Sequence, residues 1–220
     1  MNNLIQSEFC LAVHYYNLHQ YDDAKQHIKV ALSVTEGNPL KDHERSLLHT
    51  MLGEIYCLAQ KIKRAFQHVD KAIQLNPLNY LAYAWKGRIH FIAYQFDEAK
   101  SAAKKAIEIE PMSCTAHSVL ATVYDALNDI VDALSHYSIV IQRDPQNEPV
   151  KERIAILKQS QESFRQAREM TLKCQLPWDV HQWVLLGQLY DLEGNRVKAK
   201  EAFENALKLD PTHYIANNYF

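Results

Sequence analysis

The chain has 220 residues, of which 47% are hydrophobic and 23% are charged. Five glycines and seven prolines are too few for a disordered chain, so the composition indicates a folded protein. The formal net charge is −2 at pH 7 and no run of Lys or Arg occurs, which argues against general nucleic-acid binding. No apolar run approaches membrane-spanning length, so we expect no membrane insertion.

Prolines divide the chain at a constant interval. Pro77, Pro111 and Pro145 are each 34 residues apart. Each closes a similar phrase, as does Pro211: Ala-Ile-Gln-Leu-Asn-Pro at 72–77, Ala-Ile-Glu-Ile-Glu-Pro at 106–111, Ile-Gln-Arg-Asp-Pro at 141–145 and Ala-Leu-Lys-Leu-Asp-Pro at 206–211. A fixed period in this range predicts an array of structural repeats, which favours a scaffold over an enzyme.

The last repeat, which begins at Val180, carries the most complete pattern. Two groups of its residues follow helical spacing, and a proline ends it: Trp183, Leu186, Gly187 and Tyr190, then Ala199, Phe203 and Ala206, then Pro211. This pattern resembles the tetratricopeptide repeat (TPR) family, whose pattern is W-x2-L-G-x2-Y, then A-x3-F-x2-A, then P. All eight positions match. The small residues allow the two helices of a repeat to approach closely, and the proline ends the second helix.

The resemblance implies an all-α fold, a TPR solenoid of stacked antiparallel helix pairs that form a right-handed superhelix. It covers nearly the whole chain as a single array of six repeats. In chain order we place them at residues 5–45 (with a loop insertion at 33–42), 46–79, 80–113, 114–147, 148–179 and 180–213. Residues 214–220 then begin either a capping helix or a helix that is cut short, and we favour a fragment of a longer protein.

Three parts of the array depart from the pattern. Residues 148–179 are interpreted as a degenerate repeat, and the alternative is one long helix from about Pro149 to Lys173, since no Gly or Pro interrupts 150–173. In the repeat that begins at Tyr80, Lys86 and His90 replace the usual Leu and Tyr. In the last repeat, Arg196 replaces an apolar residue.

Catalytic and metal-binding motifs are not found. The eleven histidines include no HExxH motif and no pair three or four residues apart. His27, His68 and His136 share one position of their repeats, and we expect them to be packing or surface residues. No Gly-rich phosphate loop or GxSxG occurs. We therefore expect no enzyme activity, no cofactor and no metal.

The concave groove is the expected site of function. In TPR arrays it is lined by the first helix of each repeat, and in the three N-terminal repeats the groove positions are rich in apolar and aromatic residues. The candidate partner-binding residues are Phe9, Val13, Tyr16, Met51, Glu54, Leu81, Trp85, Arg88 and Phe91. Trp, Tyr and Arg dominate binding energy at interfaces. The alternative is that Trp85 and Phe91 are buried by the curvature of the array or by the N-terminal segment.

One known type of TPR ligand is not expected. TPR co-chaperones hold the C-terminal carboxylates of heat-shock chaperones with Lys, Asn and Arg at fixed groove positions. In the first register of this chain, those positions hold Phe9, Val13, Met51, Leu81 and Trp85. If the clamp positions are counted from the second repeat instead, beginning at Thr50, none holds a clamp residue. If they are counted from the third repeat, only Arg153 matches. Apolar walls with too few cations would not compensate a buried carboxylate.

The sequence therefore predicts a non-catalytic protein–protein interaction scaffold whose groove binds a peptide or amphipathic helix with apolar anchors. The alternatives are the targeting region of a larger enzyme and a self-assembling TPR scaffold, with homo-oligomers possible in either case. The four cysteines form no CxxC motif and the N-terminus lacks the features of a signal peptide, so we expect a cytoplasmic location.

Overall fold

A computed structural model describes residues 2–35, 42–173 and 178–220. Within these ranges every regular element is an α-helix and no strand occurs. The helices are α1 (Asn2–Asn17), α2 (Tyr21–Thr35), α3 (Asp42–Leu58), α4 (Ile62–Leu75), α5 (Tyr80–Ile92), α6 (Phe96–Ile109), α7 (Cys114–Ala126), α8 (Ile130–Arg143), α9 (Glu148–Leu172), α10 (Val180–Leu192), α11 (Arg196–Leu209) and α12 (Tyr214–Asn217). Most of the predicted loop insertion at 33–42 lies outside the described residues.

The chain forms two compact units, which we call the N-terminal unit (Met1–Val123) and the C-terminal unit (Tyr124–Phe220). In the N-terminal unit α1 packs with α2, α3 with α4 and α5 with α6, and successive pairs contact one another. In the C-terminal unit α9 contacts both α8 and α10, α10 pairs with α11, and α12 packs on α11. These stacked pairs confirm the all-α TPR-type fold. None of the described helices is both long and apolar enough to cross a membrane.

A tight turn with one left-handed residue joins the two helices of five predicted repeats. The residues with positive φ are His19, Gln60, Tyr94, Asn128 and Gly194. After each of them, the next amide donates to the carbonyl five residues earlier, as from Gln95 to His90 at 2.9 Å and from Asn195 to Tyr190 at 2.8 Å. This hydrogen bond closes the helix end and reverses the chain. The second helix of each pair begins two residues after the left-handed residue.

Small residues bring the paired helices together. A Cβ atom at Gly187 of α10 would lie 2.8–2.9 Å from three ring atoms of Phe203 on α11, and one at Gly53 of α3 would lie 2.4 Å from Val69 on α4. The facing alanines are fully buried: Ala24, Ala65, Ala99, Ala133 and Ala199. The helix backbones therefore approach more closely than larger side chains would permit.

Residues 148–172 form one continuous helix of 25 residues, α9. This matches the alternative of a long helix rather than the helix pair of a degenerate repeat. Ala155 and Ala167, which occupy the small-residue positions of the repeat pattern, are exposed. Glu162 lies where the other repeats have their left-handed turn, and it instead pairs with Arg165 at 2.6 Å within the helix. Strong helix formers and such pairs favour continuation of the helix over a turn.

The repeat boundaries themselves stay predictions. α5, α7 and α10 begin at Tyr80, Cys114 and Val180, the residues from which the pattern was counted. The side chain of Arg196, at the first residue of α11, is 81% exposed and lies 3.8 Å from Asp129. Its exposure explains why a charged residue is tolerated where other repeats have an apolar one.

A buried polar network fixes the start of α5 against α3. The Asn79 side chain accepts a hydrogen bond from the amide of Ala82 at 3.1 Å, which caps α5. Its amide group donates to Ser46 Oγ at 2.8 Å and to Thr50 Oγ1 at 2.9 Å. Ser46 in turn donates to the Ala72 carbonyl at 2.8 Å. Every polar group in this set has a partner, so the network stabilises the junction between two successive helix pairs.

We expect Asn79→Ala to lower the free energy of unfolding by roughly 2–3 kcal/mol, because it removes a cap and leaves buried hydroxyl groups with fewer partners. Asn147→Ala is the matched control, because Asn147 caps α9 through the Val150 amide but is only partly buried. The control should cost about 1 kcal/mol. Urea denaturation followed by circular dichroism measures both, and equal losses would contradict the stabilising role of the network.

Candidate partner-binding groove

The nine candidate residues lie on three helices of the N-terminal unit. Each of these helices is the first of its pair: α1 carries Phe9, Val13 and Tyr16, α3 carries Met51 and Glu54, and α5 carries Leu81, Trp85, Arg88 and Phe91. Phe9, Tyr16 and Met51 pack against a shared core cluster that includes Ile28 and Leu52. Trp85 packs against the following cluster, around Val69 and Ile89. The helix pairing therefore places most of the predicted aromatic residues along neighbouring helices.

All nine side chains are partly buried, and none is fully buried or largely exposed. Phe91 contacts Phe96 of α6, with ring centroids 5.9 Å apart. Phe9, Tyr16 and Trp85 thus combine two roles, because each packs against a core cluster and remains partly accessible. The nine residues are partly buried and do not line an open apolar trough, and their role in binding stays a prediction.

The centre of this surface is polar. The Tyr16 hydroxyl donates a hydrogen bond to Glu54 Oε1, which links α1 to α3. Burial raises the pKa of the Glu54 carboxyl to about 7, and the positive charge of Arg88 opposes this rise. Burial also raises the pKa of the neighbouring Cys57 thiol. Near neutral pH, Glu54 is therefore poised between its charged and neutral forms.

Arg88 acts on Glu54 through its charge but contacts no described carboxylate directly. Its guanidinium lies over the Trp85 ring, 5.9 Å from the centroid, and it makes no hydrogen bond or ion pair with any described residue. A guanidinium stacked on an indole is held in place while its N–H donors remain available. Trp85 and Arg88 together thus form an aromatic surface with a positive edge.

Arg153, the one residue that matched the carboxylate clamp, is already occupied. Its guanidinium makes two hydrogen bonds of 2.5 Å to Asp125, and the Tyr137 hydroxyl lies 3.4 Å from the same carboxylate. The Asp125 side chain is only 11% exposed. A ligand carboxylate would have to displace this bidentate pair to reach Arg153.

Sequence reasoning gave no weight to an apolar cleft in the C-terminal unit. Leu185 of α10 and Tyr214 and Ile215 of α12 line it, and their exposed fractions are 47%, 78% and 43%. Leu185 occupies the same repeat position as Met51 and Trp85, which was the available signal. The neighbouring groove positions hold the polar residues His181 and Gln188, so the sequence pattern did not indicate an apolar surface there.

The histidines form aromatic stacks that the sequence did not reveal. His27, His68 and His136 each lie nearly parallel to a tyrosine from the first helix of the same repeat. The ring centroids are 5.0 Å apart for Tyr15–His27, 5.3 Å for Tyr56–His68 and 5.7 Å for Tyr124–His136. Their recurrence indicates a packing role within the helix pair. Within the described residues, no group of three or more His, Cys, Asp or Glu residues could hold a metal ion.

Helix pairs closed by left-handed turns, packed through small residues and stacked in sequence, define a helical-repeat protein. A family model for the tetratricopeptide repeat matches residues 80–111, and another matches residues 181–213. Together with the stacked helix pairs, these two matches support a tetratricopeptide-repeat protein, and such repeats support a protein–protein interaction scaffold. None of the curated proteins compared with the chain matches it.

Solved structures share the fold at low sequence identity. PilF of Pseudomonas aeruginosa is 15% identical, with a TM-score of 0.61 over 99% of this chain and 97% of its own. A thermophilic TPR protein of Thermus thermophilus is 15% identical, with a TM-score of 0.56 over 98% of this chain and 96% of its own. The first TPR of Spaghetti (RPAP3), bound to the HSP90 peptide SRMEEVD, is 20% identical with a TM-score of 0.51. The match covers 54% of this chain and 97% of the Spaghetti chain.

Proposed function

We propose that the protein is a non-catalytic scaffold that binds a peptide or an amphipathic helix on the surface formed by α1, α3 and α5. The observation that carries the proposal is the pair of Trp85 and Arg88. A partly buried indole under an arginine that makes no hydrogen bond or ion pair with a described residue combines the two residue types that contribute most to binding energy at interfaces.

The ligand is expected to present apolar anchors. Phe9, Met51 and Trp85 offer accessible aromatic and thioether surface, and methionine adapts to ligands of different shape. Because each of these residues is also part of the core on its inner side, the surface is held in place before binding. Preorganisation lowers the entropic cost of binding.

We further propose that the ligand is not a chaperone C-terminus held by a carboxylate clamp. The Spaghetti structure contains an HSP90 peptide, but in this chain the clamp positions hold residues such as Val13 and Leu81. Arg153 is paired with Asp125. The peptide SRMEEVD should therefore show no saturable binding in a fluorescence titration, and micromolar binding would contradict this part of the proposal.

The test of the groove is a pull-down from an extract of the cells that make the protein. The bait is this chain, beside a Trp85→Ala/Met51→Asp variant whose fold is checked by circular dichroism. We expect at least one protein to be retained by the first bait and reduced at least roughly tenfold with the second, since a central aromatic anchor contributes 2 kcal/mol or more.

Leu185→Asp is the matched control, because it places the same charge at the same repeat position in the other unit. It should retain the partner as well as the unaltered chain does. If Leu185→Asp loses the partner and the groove variant keeps it, the binding surface lies in the C-terminal unit and the assignment to α1, α3 and α5 is wrong.

The absence of catalysis and a cytoplasmic location are also proposals. TPR proteins are generally non-catalytic, and Cys10, Cys57 and Cys114 are free thiols, as expected in a reducing compartment. Cell fractionation with an antibody to the chain tests the location. Recovery in a compartment other than the cytosol would contradict it.

Self-association through the C-terminal cleft is a second candidate function. The exposed apolar side chains of Leu185, Tyr214 and Ile215 favour it, because contiguous exposed apolar surface is typical of contact sites. We then expect the light-scattering mass to rise with concentration and Leu185→Asp to abolish the rise. A monomer mass at every concentration would eliminate this function.

A further inference from the structure

A second cleft in the N-terminal unit lies between α2, α3 and α4, apart from the groove. It is lined by Lys29 of α2, by Arg45, His49 and Tyr56 of α3, and by His68 of α4, among others. These residues of α3 face away from Met51 and Glu54, because they occupy other positions of the helical period. The cleft is therefore a separate surface from the proposed partner site.

Two histidines form the floor of this cleft. His49 Nδ1 and His68 Nδ1 lie 3.0 Å apart, so one ring donates a hydrogen bond to the other. His68 also stacks on Tyr56, with an angle of 8° between the rings. A neutral pair bonded through Nδ1 leaves one Nε2–H donor, and protonation of the pair adds a second donor.

Cations surround this pair, and among the described ones only Arg45 has an ionic partner. Lys29 makes no hydrogen bond or ion pair with a described residue. Arg45 donates through Nη1 to Asp42 at 3.0 Å, but its Nε is buried without a hydrogen-bond partner. Arg64 lies over the Tyr56 ring at 5.8 Å. None of the described residues that line the cleft is an aspartate or a glutamate.

The next repeat provides an internal comparison. Tyr83 and His90, which lie 34 residues after His49 and Tyr56, line a similar cleft between α5 and α6. There each lysine is paired: Lys86 with Asp70 at 2.8 Å and Lys105 with Glu108 at 2.7 Å. Two glutamates also line that cleft. Repeat geometry alone therefore does not produce unpaired cations, and the first cleft differs in its charge.

We propose that the cleft of Lys29, Arg45, His49 and His68 binds a phosphoryl group, either as free phosphate or on a phosphorylated chain. A dianion with several acceptor oxygens matches an ammonium, a free guanidinium N–H and imidazole donors. A divalent metal would meet two neutral imidazoles but also the repulsion of Lys29 and Arg45. An apolar ligand would leave the buried Arg45 Nε without a partner.

Binding of a phosphoryl group is coupled to protonation of the histidines. Among the described residues, the charged groups near the pair are Lys29 of α2, Arg45 of α3 with its partner Asp42, and Arg64 and Lys71 of α4. Burial, followed by the charges of His68, Arg45 and Lys71, lowers the pKa of His49 to about 4. Burial and the charge of Arg64 lower the pKa of His68. A bound anion raises both values, so binding of the phosphoryl dianion favours proton uptake by the histidine pair.

The experiment is an NMR titration of the histidine side-chain resonances of the full chain, at constant ionic strength set with sodium chloride. One arm adds inorganic phosphate, a second adds a short phosphoserine peptide, and a third adds the same peptide with serine. We expect the His49 and His68 signals to shift and saturate in the first or second arm but not in the third. Saturation by phosphate indicates a free-anion site, and saturation by the phosphopeptide alone indicates a phosphorylated chain.

Variants make the result specific. Lys29→Gln should weaken the binding roughly threefold or more and Arg45→Gln roughly tenfold, as expected for loss of charge-assisted hydrogen bonds. Lys86→Gln, in the comparison cleft, should change it less than about twofold. Lys29 is exposed, so Lys29→Gln remains informative if Arg45→Gln fails to fold. Shifts that stay linear in every arm, or equal losses with Lys29→Gln and Lys86→Gln, would overturn the proposal.

Discussion

Replacing Phe203 with alanine is expected to lower the free energy of unfolding by about 3–5 kcal/mol, the largest effect of any single substitution proposed for this chain. Phe203 is 2% exposed and packs against Val184, Ala199 and Ala216. Its ring also contacts Tyr219, with centroids 4.5 Å apart. Removing it would leave a cavity where α10, α11 and α12 meet. Urea denaturation followed by circular dichroism measures the loss.

Phe220→Ala is the control for this prediction, because that side chain is 60% exposed. It should change the stability by less than about 0.5 kcal/mol.

A second comparison uses Gly187, since a methyl group there would lie 2.8 Å from the Phe203 ring. Gly187→Ala should destabilise the normal chain and become neutral or stabilising once Phe203 is alanine. Additive effects of the two substitutions would contradict the close packing of α10 on α11.

The second large effect concerns the pH dependence of stability: two buried groups of the N-terminal unit change the free energy of unfolding in opposite directions as the pH changes. Burial lowers the pKa of His49 from 6.5 to about 4, so its contribution to stability is full above pH 6.5 and is lost as the pH falls through 4. Burial raises the pKa of Glu54 from 4.5 to about 7, so its contribution is full below pH 4.5 and is lost as the pH rises through 7. Between pH 4 and pH 7 the two effects oppose each other.

Single substitutions should expose each effect. Glu54→Gln keeps an acceptor for Tyr16 but removes the titration, so acidification from pH 7 to pH 4 should cost the variant roughly 2–3 kcal/mol more than the normal chain. For His49→Gln, acidification from pH 7 to pH 4 should instead cost less than in the unaltered chain, by a similar amount. Urea denaturation at both pH values measures the two shifts. Shifts of the same sign, or none, would show that these side chains are not buried as described.

The fold could be predicted because the repeat period and the positions of the small residues both indicate stacked pairs of helices. The prolines set the period, and residues such as Gly187 and Ala199 identify the contact between paired helices. The turns were not predictable from residue type, since His19, Gln60 and Tyr94 adopt positive φ although none is a usual turn former. There the packing of the helix pair overrides the local preference of the residue.

Residues 148–172 illustrate the opposite case. Ala155 and Ala167 match the repeat pattern, yet they are exposed on one continuous helix. A pattern of small residues indicates a helix pair only where a turn can form between them. Here helix-favouring residues and the Glu162–Arg165 pair occupy the place of that turn.

The site was predictable only in part. Sequence position placed Trp85 and Arg88 on the first helix of a repeat, but it could not show that the Arg88 guanidinium lies over the Trp85 ring. The approach of His49 to His68 was also hidden, because the two residues are far apart in the chain and on different helices. Such features depend on rotamers and on the packing of neighbouring helices, which the sequence pattern does not specify.

The central claim is that α1, α3 and α5 bind a partner, and site-specific photo-crosslinking tests it most directly. The photoreactive residue p-benzoylphenylalanine is placed at position 85, and in separate chains at position 185 and at the exposed Lys104 of α6. We expect one discrete adduct, formed from position 85 and absent from position 104. Adducts from position 185 or 104, with none from position 85, would contradict the claim.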